Sequence, residues 1–364
     1  MQIAIIGLPS SGKTTIFNAL TGSAIPVGQY EAKPESNIGV AHVPDDRVDK
    51  LTKLYKPKRT IFAEVTYIDI PGQSSVQQDQ GMFNGAAMGQ LQKVDALLHV
   101  VRAFEDDSVV HSRDSVDWRR DAKDVEFDIM FSDIALIDRR IEKLSDVKNM
   151  KAVDRDAQFK LIEELKLVQT QLEDGVPVRS QELTDGQQRG LQDQFLVSSL
   201  PYLVAVNISE DAIPDAESVE SELAEMLTGD LTGGAAICGR LEMELSEMDD
   251  AEEAEFRSSL GAGEPGLHRI LRLCYESLGL MSFLTVGEDE VRAWTIVEGM
   301  PAANAAGVVH SDIERGFIRA EIVSYDDLME QGTVSNARNV GKLRSEGREY
   351  VMQNGDVVNF LFSV

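Results

Sequence analysis

The chain of 364 residues carries 62 acidic residues against 35 basic ones, a formal net charge of −27. That excess disfavours nonspecific adhesion to nucleic acid or to an anionic membrane, leaving room only for a local basic patch. Hydrophobic residues at 43% and charged residues at 27% describe an ordinary globular chain, long enough for two or three domains. The cysteines, Cys238 and Cys274, show no metal-ligand spacing and are too few for a disulfide framework, so buried thiols in a reducing compartment are expected. No apolar run approaches the ~18 residues of a membrane span, and no basic stretch precedes the first one. A soluble, unexported, cytoplasmic protein is expected.

The first predicted strand, Ile3-Ala4-Ile5-Ile6, runs into Gly7-Leu8-Pro9-Ser10-Ser11-Gly12-Lys13-Thr14-Thr15, and Ile16 to Leu20 continue as a helix. This is the pattern G-x-x-x-x-G-K-[ST] in its strand-then-helix setting, a phosphate-binding loop. Gly7 and Gly12 let backbone N–H groups turn inward around a polyphosphate at a helix N-terminus. Lys13 then reaches the β and γ phosphates, and the Thr14 hydroxyl ligates Mg²⁺. Pro9, Ser10, Ser11 and Thr15 complete the loop.

The segment from Phe62 to Gly72 reads as a strand ending in D-x-x-G. Asp69 is placed to hold Mg²⁺ through water, and the Gly72 amide to contact a γ-phosphate, which makes the following loop a sensor of nucleotide state. Gln73, next in the chain, is the residue type that orients attacking water. Val94 to Val101 reads as a central strand in which His99 is a core residue. From about 115 to 197 the pattern changes to charged, apolar-striped helices. Phe127, Ile129, Met130, Ile134, Ile137, Ile141 and Leu144 recur at three and four residues, and a second stripe runs from Phe159 through Leu161, Ile162, Leu165, Leu167 and Val168 to Leu172. An antiparallel helical hairpin or short coiled coil, inserted between two strands, fits both.

Pro201 to Ile208 then re-enters the sheet and ends in Asn207-Ile208-Ser209-Glu210. Nucleotide switches that read guanine carry N-K-x-D at such a place. Glu210 keeps the carboxylate but moves it about one methylene outward, and Ile208 replaces the aliphatic stem of the lysine that lines the base. Guanine specificity should weaken, because a buried polar contact that misses its partner becomes a penalty. Ala235 to Gly239 ends another apolar run and brings Cys238 and Gly239 toward the base edge. The acidic run from Glu242 to Glu255 reads as a solvated helix face rather than a metal site, since no spacing converges its carboxylates. After Leu278-Gly279-Leu280 come short strands around one helix, with Val291 to Ile296 and Val357 to Phe362 as the flanking strands.

With these motifs in place the chain resembles the YchF family, the Obg-like ATPases. The resemblance is densest in Glu290-Val291-Arg292-Ala293-Trp294-Thr295-Ile296, in the run from Ala305 to Glu321, and in Gly341-Lys342-Leu343-Arg344 and Gly355-Asp356-Val357-Val358. It extends over nearly the whole chain. It implies a P-loop α/β nucleotide domain (1–114 and 201–280), an inserted helical arm that binds a partner (115–200), and a TGS domain of β-grasp type (281–364). It further implies Mg²⁺ as cofactor, ATP preferred over GTP, and a ribosome or ribosomal RNA partner. Arg292, Arg315, Arg319, Lys342, Arg344 and Arg348 are the candidate basic face of the TGS segment. The chain departs from the family pattern at Lys33, where a switch threonine is usual, at Gln73, where an apolar residue is usual, and at Ser10, where an asparagine linked to potassium use is common. An ATP-hydrolysing switch, monomeric, is the expectation. A GTPase and a non-hydrolysing, nucleotide-gated adaptor remain open beside it.

Overall fold

A computed structural model describes residues 1–26, 36–71, 85–107, 109, 111, 115–146, 152–227, 229 and 231–363. Its strands, in chain order, are β1 (Gln2–Ile6), β2 (Asn37–His42), β3 (Arg59–Ile61), β4 (Glu64–Asp69), β5 (Ala96–Ala103), β6 (Tyr202–Ile208), β7 (Thr232–Ile237), β8 (Leu280–Val286), β9 (Glu290–Val297), β10 (Phe317–Ser324), β11 (Arg344–Glu346) and β12 (Asp356–Phe362). Among the described residues they form two sheets, ordered β2-β4-β1-β5-β6-β7 and β11-β10-β12-β8-β9-β3.

The first sheet explains the continuous apolar runs. β1 pairs in parallel with β4 on one side and β5 on the other, and β5, β6 and β7 continue in parallel. Strands covered on both faces have no polar side to show, so Ile3 to Ile6, Leu97 to Val101 and Leu203 to Val206 are buried throughout. Tyr202, Val204 and Val206 join Leu97 and Val101 in an apolar cluster closed by Trp118, Ala122, Val125 and Ile129 of the helix Trp118–Ser145 and by Leu223 of the helix Ala216–Met226. Chain order changes direction around β1, and ligands of open α/β sheets bind beyond the strand ends at such a point.

Between β5 and β6 the chain leaves the sheet. Asp117 caps the helix Trp118–Ser145 by accepting from the amides of Arg119 and Arg120. The return helix, Ala152–Glu173, packs on it through Met130, Ile137, Leu165, Val168 and Leu172, as the stripes predict. Phe127, Phe159 and Leu167, read as stripe members, lie instead about half exposed on the surface of the pair. Two helices bury only the seam between them, so a stripe wider than the seam leaves its margins in water.

The chain forms two compact units, Met1–Val40 with Thr66–Leu273 and Ala41–Val65 with Cys274–Val364. Residues 41–65, which sequence places with the nucleotide domain, therefore belong with the C-terminal segment. The reason is a parallel ladder in which Arg59, Thr60 and Ile61 pair with Glu290, Val291 and Arg292. In that unit the helix Ala302–Val309 lays Ala302, Ala303, Ala305 and Ala306 on Phe283, Phe317, Ile322 and Phe360. The single helix expected in this region is joined by Ser311–Arg315, Tyr325–Gln331 and Val334–Asn339. The expected basic face is locally offset: Arg315, Lys342 and Arg344 each face a carboxylate, of Asp312, Asp327 and Asp356 respectively.

Candidate nucleotide site

At the end of β1 the chain adopts backbone conformations that an L side chain resists. Gly7 lies at φ +146° and Gly12 at φ +95°. A Cβ on Gly7 would stand 2.3 Å from the Val100 carbonyl oxygen, and one on Gly12 would stand 2.1 Å from the Asn207 amide nitrogen. Both spacings lie inside van der Waals contact, so the two glycines are fixed by close approach as well as by φ. Ser10, at φ +61°, is exposed, and Pro9 precedes it half-buried.

The helix Lys13–Thr21 starts directly from Gly12, which gives it no side-chain cap, and its first turn holds no acidic residue. The leading amides, including those of Lys13, Thr14 and Thr15, thus point outward with the positive end of the helix dipole, an arrangement suited to a phosphate. Lys13 is buried, and its amine donates to the carbonyls of Gly7 at 3.0 Å and Leu8 at 2.8 Å. Burial lowers its pKa to about 8, against the raising effect of Asp69.

Asp69 ends β4 opposite Ile5 of β1. Its Oδ2 accepts from the Thr14 hydroxyl at 3.0 Å, while its Oδ1, also buried, has no hydrogen-bond partner among the described residues. A hydroxyl and a carboxylate with an unused buried oxygen form a hard, oxygen-rich donor set that suits Mg²⁺. Asn37, at the start of β2, donates to the same carboxylate at 3.4 Å. Asn37 has no role in the sequence reading, and nothing local in the sequence indicates the contact.

Asn207 closes the site from the far side. Its amide donates to the Ser11 carbonyl at 3.0 Å and its Oδ1 accepts from the Gly239 amide at 3.0 Å. One side chain thus ties the phosphate loop to the loop that leaves β7. Glu210 follows, exposed, at the start of a short 3₁₀ turn, Glu210–Asp215. Ile208 and Cys238 are not brought to this corner by their side chains: both lie in the apolar cluster around β6. Ile208 follows Asn207 in a strand, and successive side chains point to opposite faces. The Cys238 thiol is pushed up, first by burial.

The acidic run holds no metal cluster among the described residues. Glu242, expected in solvent, is buried, paired with Arg257 and accepting from the Gly266 amide at 2.9 Å. Lys33, Gly72 and Gln73 lie outside the described residues.

The comparisons agree with this geometry. The family model YchF-GTPase_C, described as "Protein of unknown function (DUF933)", matches residues 280–363. MMR_HSR1, described as "50S ribosome-binding GTPase", matches residues 2–132. A Bacillus subtilis protein named ribosome-binding ATPase YchF is 37% identical over 368 residues, spanning all of both chains. Obg-like ATPase 1 of Oryza sativa is 34% identical over all of this chain and 92% of its own. The structure of the Schizosaccharomyces pombe YchF GTPase superposes with a TM-score of 0.84 at 29% identity, covering 99% of this chain and 97% of that one. Matched along its whole length at 37% and 34% identity by the B. subtilis and O. sativa proteins, the chain belongs to the YchF family.

Proposed function

We propose that this protein is a nucleotide-dependent switch that hydrolyses ATP to ADP and phosphate, with the ribosome as its partner. One observation carries the reading: Lys13, the Thr14–Asp69 pair and the Asn207 bridge converge on the N-terminus of one helix. The Lys13 ammonium and the leading amides of that helix hold the β and γ phosphates and stabilise charge that develops on them. Thr14 and Asp69 would hold Mg²⁺, which would supply positive charge against that developing on the phosphates. The Gly72 amide contacts the γ-phosphate, and Gln73 orients the attacking water for in-line displacement. Lys33 stands where the family's first switch usually has a threonine.

The B. subtilis relative's name supplies the ribosome as partner. Contact is assigned to the helical arm (115–200) and the TGS domain (281–364), on a monomeric, cytoplasmic protein. Base choice rests on Glu210, with the backbone at Ile208, Cys238 and Gly239 beside it. Its longer side chain favours adenine by failing guanine's N–H donors; a GTPase is the second reading, because the carboxylate itself is retained.

Calorimetry with non-hydrolysable ATP and GTP analogues in Mg²⁺, on the wild type and on Glu210→Asp, tests base choice. The expected result is at least tenfold tighter ATP binding, about 1.4 kcal/mol, narrowed in the variant. Tighter GTP binding overturns it. Steady-state phosphate release lost in Lys13→Ala supports hydrolysis, whereas nucleotide bound without release by the wild type leaves an adaptor.

A further inference from the structure

A buried polar chain runs from beneath the phosphate loop to the base of the helical arm. His99 pairs in register with Ile6, the last residue before the loop, and lines a narrow cleft with Leu8, Pro9 and Ser11. The imidazole is fully buried, and burial presses its pKa to about 3, so it is neutral under ordinary conditions. Its Nδ1 is 2.6 Å from the Tyr202 hydroxyl, while its Nε2 has no hydrogen-bond partner among the described residues; the same holds for the Ser11 hydroxyl in that cleft. The Arg179 guanidinium lies over the Tyr202 ring, 4.7 Å from its centroid. Arg179 in turn pairs with Glu126 on the outgoing helix and donates to the Ser198 carbonyl at 3.4 Å. Ser198 is clamped as well: Asp133 accepts from the amides of Val197 at 2.9 Å and Ser198 at 2.7 Å.

Apolar packing would have closed this region without polar groups. Burying a neutral histidine, a phenol and a guanidinium in series costs desolvation that is offset by the His99–Tyr202 bond and by Arg179's pairing with Glu126 and the Ser198 carbonyl, so the arrangement tolerates few geometries. A shift of the loop at Leu8 to Ser11 therefore bears on His99, and through Tyr202 on the cation that joins both limbs of the arm.

We propose that His99, Tyr202 and Arg179 form the coupling route by which nucleotide at the phosphate loop alters the docking of the arm's base, and by which a partner on the arm alters nucleotide affinity. The second half follows from the first, since coupling between two binding equilibria is reciprocal. The inference rests on nucleotide binding at the loop but not on hydrolysis or on base choice.

The test is amide hydrogen exchange at Val178, Val197 and Ser198, whose N–H groups report the arm's base through their bonds to Ser198 and Asp133. Exchange is measured on the full chain with and without a non-hydrolysable ATP analogue in Mg²⁺, for wild type, Tyr202→Phe and Arg179→Met, alongside calorimetry on the same samples. The wild type should change exchange at these amides by at least about fivefold on saturation, the low end of ordinary coupling. Tyr202→Phe removes only the hydroxyl, and Arg179→Met removes the charge while keeping an unbranched apolar chain; each should bind nucleotide like wild type yet lose most of that response. An undiminished response in Tyr202→Phe overturns the proposal, even if the variant is less stable. Binding by wild type with no change at the arm also overturns it. No binding in calorimetry would instead remove nucleotide recognition, and the coupling with it. If Arg179→Met does not fold, Tyr202→Phe decides the question by itself.

Discussion

The Asn207 amide nitrogen sits 3.0 Å from the Ser11 carbonyl oxygen, although 196 residues separate the two in the chain. The same nitrogen occupies the space that a Cβ on Gly12 would need. Strand β6 thus sets both the position of the phosphate loop and the one residue type tolerated at its last turn.

Gly12→Ala should reduce affinity for a non-hydrolysable ATP analogue by at least tenfold, about 1.4 kcal/mol, as read by calorimetry. The methyl group meets Asn207 at 2.1 Å, and φ +95° adds strain of about 1–3 kcal/mol for any side chain. Asn207→Ala in the same background relieves the collision but leaves the strain and removes the bridge to Ser11 and Gly239, so affinity should stay well below wild type.

Lys13 gives nucleotide binding a pH dependence. With its pKa lowered to about 8, a substantial share of the protein carries a neutral amine near that pH. Phosphate charge raises the pKa on binding, so binding takes up a proton there, and affinity falls as pH rises through 8. Calorimetry in buffers of different ionisation enthalpy should show uptake near pH 8 that vanishes about two units lower, where the amine is already charged.

Asp133 should leave a signature in stability. Burial raises its pKa from the ordinary 3.8 to about 6, against the lowering effect of Ser198, Val197 and Arg179. In that window the folded state binds more protons than the unfolded state, so this group makes stability fall as pH rises from 3.8 to 6. Thermal unfolding across the window should show a flatter profile in Asp133→Asn than in wild type.

In the C-terminal unit, Ala306 is fully buried beneath its helix. Ala306→Leu forces three extra carbons between the helix Ala302–Val309 and the sheet, at a cost of about 1–3 kcal/mol. Urea denaturation followed by Trp294 fluorescence, in a Trp118→Phe background, should show the loss. Trp294 reports this unit because it stacks on Phe283.

Much of the nucleotide site was legible in sequence because it is local. Residues 7 to 15 carry their own instructions: glycines where φ turns positive or backbone approaches closely, a lysine and a hydroxyl at fixed offsets, and a helix that starts without a cap. Asp69 was legible for a similar reason, since an apolar strand run ending in a carboxylate marks a strand terminus.

Sequence by itself determined the phosphate loop and the alternation of apolar strands with striped helices, because each is written in short-range pattern. Only the tertiary structure decided what depends on pairing across long separations. It seated Asn207 between Ser11 and Gly239, sent Ile208 and Cys238 into the core, and attached residues 41–65 to the C-terminal sheet through β3 and β9. It also turned His99, legible only as a core residue, into the hydrogen-bond partner of Tyr202. Periodicity tells which face of an element is buried; which residue waits on the other side is fixed by how distant segments pack.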